Sequence, residues 1–190
     1  MPRFAANLTM LFNEAPFIER FERAAQAGFE AVEFLFPYDY PVGQLQEQLT
    51  GQALQLVLHN LPAGIRLLIE PINTYDIPGF FLNRTRQALD IIAEVGASGS
   101  DNVFVQYDIY HMQRMEGELA KSIEKNLGRI AHLQLADNPG RNEPGTGEIN
   151  YGFLFAFLDK IGYQGWIGCE YKPAATTEAG LGWAAPYLKP

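Results

Sequence analysis

Four oxygen-bearing side chains stand where apolar runs stop. Glu70 follows Leu-Leu-Ile, Asp108 ends Val103-Phe-Val-Gln-Tyr107, Gln134 lies within His132-Leu-Gln-Leu-Ala-Asp137, and Glu170 follows Ile167-Gly-Cys169. Hard divalent cations such as Mg²⁺ or Mn²⁺ take oxygen ligands, and two or three carboxylates with an amide oxygen suffice to hold one. A lone acid at a strand end is more often a loop anchor or a helix cap. Four of them on successive strands predict convergence at one mouth of a β/α fold, where such folds place their chemistry.

Other groups have two readings each. His111 stands three residues beyond Asp108, where it can orient a ligand or touch substrate. His59, also at a strand end, either contacts substrate or caps the loop that follows. Arg141 and Lys172 are cations able to bind an anionic group, or simply solvated near loops. His132 alternates with Gln134 on one side of its strand and reads as a satisfied core histidine. Gly145-Thr-Gly147 is a poor phosphate cradle, since it follows no strand directly and lacks the Lys-Ser/Thr of a phosphate loop. Cys169 reads as inert packing, and Phe34, Phe36 and Tyr38 as core and pocket wall.

The elements that must position these groups alternate. Strands are predicted over 4–8, 32–36, 54–59, 66–70, 130–136 and 166–170, and the stretch 103–111 reads as a buried strand interrupted at Asp108. Helices are predicted from Pro16 to Gly28, over 42–49, through Ala88, Ile91, Ile92 and Val95 to Gly96, and through Leu119, Ile123 and Leu127 to Gly128. Another begins at Asn150 as N-cap and runs to Gly162, and a short one spans Thr176 to Trp183. Strand-helix alternation predicts parallel β/α units in a single domain over 1–190.

Composition narrows the function classes. The chain of 190 residues is 47% apolar, with 14 Lys and Arg against 22 Asp and Glu for a net charge of −8. That balance repels phosphate backbones and anionic membranes, so nucleic acid is not an expected partner, while a small anionic substrate in a metal-bearing pocket is allowed. One cysteine forms no internal disulfide, and there is neither a signal core nor an 18-residue apolar run. A soluble cytoplasmic protein is expected, with homo-oligomer formation open.

Several longer motifs carry a resemblance. Asn7-Leu-Thr-Met-Leu-Phe12, Val32-Glu-Phe34, Phe36-Pro-Tyr-Asp-Tyr40, His59-Asn-Leu-Pro-Ala-Gly64, Ile69-Glu-Pro-Ile-Asn73, Gln106-Tyr-Asp-Ile-Tyr-His-Met-Gln-Arg-Met-Glu-Gly117, Asn142-Glu-Pro-Gly-Thr-Gly-Glu-Ile-Asn150 and Gly168-Cys-Glu-Tyr-Lys-Pro173 resemble the hydroxypyruvate isomerase family. That family lies within the xylose isomerase-like (β/α)8 (TIM) barrels. The resemblance implies that Glu70 and Glu170 exchange protons with a small hydroxy-keto acid. It also implies that Glu70, Asp108, Gln134 and Glu170 surround a divalent metal, Mg²⁺ or Mn²⁺. The same scaffold serves 2-oxo-tetronate isomerisation and sugar epimerisation, so the substrate is less fixed than the proton-transfer chemistry. Under this reading His59, His111, Arg141 and Lys172 are substrate contacts.

Length departs from the pattern. A (β/α)8 barrel takes about 250 residues, and only seven strands are legible in 190. Between His59 and Arg66 there is no helix, and six residues cannot return a chain to the start of a parallel neighbour, which takes about a dozen. The expected fold is therefore a TIM-barrel-like α/β domain lacking a helix, the fourth strand and a second helix between Gly64 and Ile65. Such a chain would be either an active isomerase or a catalytically inactive deletion variant.

Overall fold

The computed structural model describes residues 1–35, 37–59 and 66–189, with only the backbone given at His59. Seven strands form one sheet: β1 (Arg3–Asn7), β2 (Ala31–Phe34), β3 (Gln55–His59), β4 (Leu67–Ile69), β5 (Val103–Asp108), β6 (Ile130–Leu135) and β7 (Trp166–Cys169). The helices are α1 (Arg20–Gln26), α2 (Val42–Gly51), α3 (Thr85–Ala97), α4 (Ile109–Met115), α5 (Leu119–Asn126), α6 (Tyr151–Lys160) and α7 (Thr177–Gly180). Every strand pairing is parallel, in the order β3-β2-β1-β7-β6-β5-β4.

Burial explains the strand sequences. In β1, β2, β5, β6 and β7 nearly every residue is shielded, because helices cover the outer face and polar side chains fill the inner one. The outer packing is aromatic. Phe4 meets Phe155 of α6, Trp183 and Tyr187 edge-on at 5.1–5.3 Å, and Phe21 of α1 lies 5.7 Å from Phe34 of β2. Gly28 leaves α1 at φ +90°, and a Cβ there would collide with the Lys189 backbone, so glycine is required on two counts.

Two expectations change. The stretch 103–111 is not one strand: β5 stops at Asp108 and α4 begins at Ile109, so His111 lies on a helix. The cause is local, since Asp108 Oδ1 accepts from the N–H groups of Tyr110 (2.7 Å) and His111 (3.3 Å) and so caps the helix. Tyr38 is 65% exposed and so is not part of the core, whereas Phe34 is buried. Phe36 lies outside the described residues.

The sheet curls but does not close among the described residues. β3 pairs only with β2 and β4 only with β5, so the open seam falls between the two strands that the short segment 60–65 connects. That segment, with the Gly64–Ile65 junction, lies outside the described residues. Leu67 on the β4 edge is 54% exposed. Two unpaired parallel edges leave backbone donors and acceptors to water and reduce the apolar area buried. The monomer is expected to unfold below about 60 °C in scanning calorimetry, within the ordinary mesophile range, and a cooperative monomer transition well above that would contradict the open seam.

Candidate active site

The strand ends meet as their positions predict. Asp108 at the end of β5 pairs in register with Gln134 of β6, and Gln134 with Gly168 of β7, two residues before Glu170. Glu70 follows β4. One ligand atom from each of Glu70, Asp108, His111 and Glu170 lies within 4.8 Å of the others, with Asp108, His111 and Glu170 buried. Gln134 adjoins the cluster through Gln106, whose Nε2 donates to Glu70 Oε2 (2.8 Å) and to Gln134 Oε1 (2.6 Å).

Each acid is held differently. Asp108 spends Oδ1 on the α4 cap, and its buried Oδ2 has no hydrogen-bond partner among the described residues. Glu170 accepts from Arg141 Nη2 (2.7 Å) and from Asn7 Nδ2 (3.3 Å). His111 Nε2 lies 3.6 Å from Asp108 Oδ2 and 3.7 Å from Glu70 Oε1. Its Nδ1 faces Asn73, whose Oδ1 is already committed to the N–H groups of Tyr75 and Asp76, so Asn73 turns Nδ2 and its backbone N–H to the imidazole. With Nδ1 accepting, neutral His111 carries its proton on Nε2, aimed at the carboxylates.

Burial and crowding set the protonation. Glu70 is pushed well above the usual carboxylate range, first by burial and then by the charges of Glu170 and Asp108. Glu170 is raised too, by burial and then Asp108, with Arg141 opposing. His111 is lowered by burial, which outweighs Asp108. For Arg141, burial acts downward, but Asp108 and Glu170 win and raise it.

Arg141 arrives on the loop after β6. Its backbone adopts φ +55°, uncommon for a side-chain-bearing residue, and its N–H donates to the Asp137 carbonyl at 2.9 Å. Asp137 organises the rest of that loop, accepting from Asn138 and Ile149 N–H on Oδ1 and from Gly145 and Gly147 N–H on Oδ2. The Gly-Thr-Gly amides are thereby taken, which accounts for the poor phosphate cradle. The guanidinium sits 5.4 Å over the Tyr110 ring, and its buried Nε has no partner among the described residues.

The remaining candidates divide. Lys172 is exposed; only its backbone joins the site loops, through its N–H to the Arg141 carbonyl (2.7 Å) and its carbonyl to Asn142 Nδ2 (2.8 Å), so its side chain is not brought into the cluster. The His59 side chain lies outside the described residues. His132 is the satisfied buried histidine expected, with Nε2 at 2.7 Å from Glu33 Oε2, and Cys169 is fully buried with its thiol pushed up by burial. Asn7, Glu33, Asn73 and Gln106 were not singled out from sequence. The available signal was a polar residue inside an apolar strand, at the alternation of Gln106 with Asp108.

Comparison with known proteins settles the family. A model of the xylose isomerase-like TIM barrel matches residues 62–187. The chain belongs to this family. It is 43% identical over 260 aligned positions to hydroxypyruvate isomerase of Escherichia coli K12, covering 98% of this chain and all of that one. It is 38% identical over 261 positions to 2-oxo-tetronate isomerase of Cupriavidus necator H16, covering 99% of each. A crystal structure described as AP endonuclease, family 2, from Brucella melitensis superposes with a TM-score of 0.92 at 36% identity, covering 100% of both chains. D-psicose 3-epimerase of Clostridium cellulolyticum H10, at 16% identity and TM-score 0.72, shares the xylose isomerase-like fold.

The donor set fits a divalent cation. Three carboxylates, one of them Asp108 with a buried Oδ2 that has no hydrogen-bond partner among the described residues, make an oxygen-rich site of the kind that Mg²⁺ or Mn²⁺ prefers. A cation must displace the protons that burial holds on Glu70 and Glu170. Mn²⁺ affinity is therefore expected to rise steadily from pH 5.5 to 8, with proton release visible as a buffer-dependent calorimetric enthalpy; a flat profile would contradict it. The fold binds those protons more tightly than the unfolded chain does, so metal-free protein should lose stability as pH rises from about 4.5 through the folded values.

Proposed function

We propose that the chain is an aldose-ketose type isomerase interconverting hydroxypyruvate and 2-hydroxy-3-oxopropanoate (tartronate semialdehyde) through an enediol. The observation that carries this reading is the convergence of Glu70 and Glu170, both with raised proton affinity, on one cluster with the unpartnered Asp108 oxygen. The hydroxypyruvate isomerase relative aligned over its whole length supports the substrate. The 2-oxo-tetronate isomerases and the epimerase fold neighbours support the wider class.

The residues divide the work. One of Glu70 and Glu170 removes a proton from the hydroxymethyl carbon, and the other returns one to the adjacent carbon, while a hydroxyl proton passes to the former carbonyl oxygen. Raised affinity suits both roles, because a carboxyl held above the usual carboxylate range can both take up and return a proton. The Arg141 Nε–H, buried with no partner among the described residues, would bind the substrate carboxylate, and the His111 Nε2–H would donate to a substrate oxygen. Glu70, Asp108, Gln134 and Glu170 would hold the divalent cation, which when bound supplies electrostatic stabilisation to negative charge developing on the enediol oxygens.

One observation favours a second reading. The alignment to the Escherichia coli enzyme spans 260 positions against 190 residues here, and the sheet is open between β3 and β4. We infer that one β/α unit with its flanking helix is missing at that seam, and on this second reading the chain is an inactive deletion variant. All four proposed ligands lie on, or directly after, strands that are present, and this favours the active form.

Proton exchange discriminates. In deuterated water with Mg²⁺ or Mn²⁺, folded protein is expected to wash deuterium into the hydroxymethyl carbon of hydroxypyruvate, followed by NMR. Glu170→Gln should lower that rate by at least about 10³-fold, and Arg141→Lys should raise KM about 10- to 100-fold with a smaller change in kcat. No exchange by verified folded protein would reject the isomerase reading and leave the inactive variant.

A further inference from the structure

Behind the acidic cluster lies a second buried carboxylate that the proton-transfer scheme does not use. Glu33 of β2 is fully buried within the sheet's inner layer. It faces Gly168, where any Cβ would overlap both carboxylate oxygens, so glycine there is what admits it. Asn7 Nδ2 donates to Oε1 at 2.9 Å, Gln134 Nε2 donates to Oε1 at 2.7 Å, and His132 Nε2 lies 2.7 Å from Oε2.

The amide atom that Gln134 turns to Glu33 is the nitrogen, which donates to a carboxylate oxygen. Its oxygen is then turned the other way, to Gln106 Nε2, which also touches Glu70. Glu33 holds the Gln134 NH₂ group from behind, while on the other side the amide adjoins Glu70 through Gln106 and stands in register with Asp108. Were the amide to turn over, it would present its nitrogen where a cation needs an oxygen.

We propose that Glu33 is a positioning residue that fixes the Gln134 amide with its oxygen toward the cation site. This rests on the divalent-metal reading above. Glu33 touches neither Glu70 nor Asp108 by any hydrogen bond among the described residues; it acts through Gln134 and through Asn7, whose Nδ2 bonds Glu33 and Glu170 together. His132 anchors the far oxygen, so the carboxylate cannot turn away.

The test is Mn²⁺ affinity of the full chain, read by electron paramagnetic resonance, with circular dichroism to verify folding. Glu33→Met removes the acceptor and lets the NH₂ end swing into the acidic cluster, and is expected to weaken Mn²⁺ binding about tenfold or more. Glu33→Gln keeps an acceptor for Gln134 while its own amide faces His132, and should stay within about threefold of the parent. Combining Glu33→Met with Gln134→Glu gives a side chain whose two ends are both oxygen, and should restore parental affinity.

Unchanged binding in Glu33→Met overturns the proposal. So does a Glu33→Gln variant as weak as Glu33→Met, which would assign the effect to charge rather than orientation, or failure of the double variant to recover. If Glu33→Met alone does not fold, the double variant decides by the same criterion. A parent chain that binds no Mn²⁺ removes the metal reading itself, a different result from a binding parent that is indifferent to position 33.

Discussion

Negative charge that cannot be left alone organises the inner layer of this sheet. Two unit charges about 4 Å apart repel by about 4 kcal/mol at the effective dielectric of a protein, several times the net worth of a neutral hydrogen bond. Glu70, Asp108 and Glu170 bring carboxylate oxygens within 4.8 Å of one another, and Glu33 lies just behind them. Arg141 is the guanidinium paired with the cluster, bonded to Glu170. Protons on Glu70 and Glu170 or a divalent cation must supply the remainder. The same two alternatives are what an enzyme that shuttles protons at a metal site requires.

Placement of the acids follows from the backbone. Parallel strands deliver Asp108, Gln134 and Glu170 side by side, and the turn into α4 uses one oxygen of Asp108 as a cap, leaving the other to point inward. The loop after β6 then brings Arg141 over the top, fixed by Asp137 through four backbone N–H groups and by an uncommon backbone angle at Arg141 itself. Amide side chains join the carboxylates together: Asn7 connects Glu33 to Glu170, and Gln106 connects Glu70 to Gln134. These bonds hold the acids in place without neutralising them.

Much of this was visible in the sequence, because apolar runs ending at acids mark both strand and site. Glu70, Asp108 and Glu170 were legible for that reason, and so was the shortness of the segment after His59 against the length that a parallel crossover takes. The start of α4 was not. Ile109-Tyr-His-Met continues the apolar, aromatic character of β5, so the helix is announced only by Asp108 as a cap, and a capping aspartate and a ligand aspartate look alike in sequence. Arg141 could be named but not aimed, since its direction depends on loop bonds from Asp137. Lys172 sits close in sequence to Glu170 yet points to solvent. Glu33 and Asn7 were hidden because a buried polar residue has meaning only once its partners across the sheet are known.

Anomalous diffraction from a crystal soaked in Mn²⁺ tests the central claim most directly. The account predicts one strong peak bounded by carboxylate oxygens of Glu70, Asp108 and Glu170 and the amide oxygen of Gln134, all within ligand distance. A peak elsewhere, or none at saturating Mn²⁺ with these side chains ordered, would contradict it.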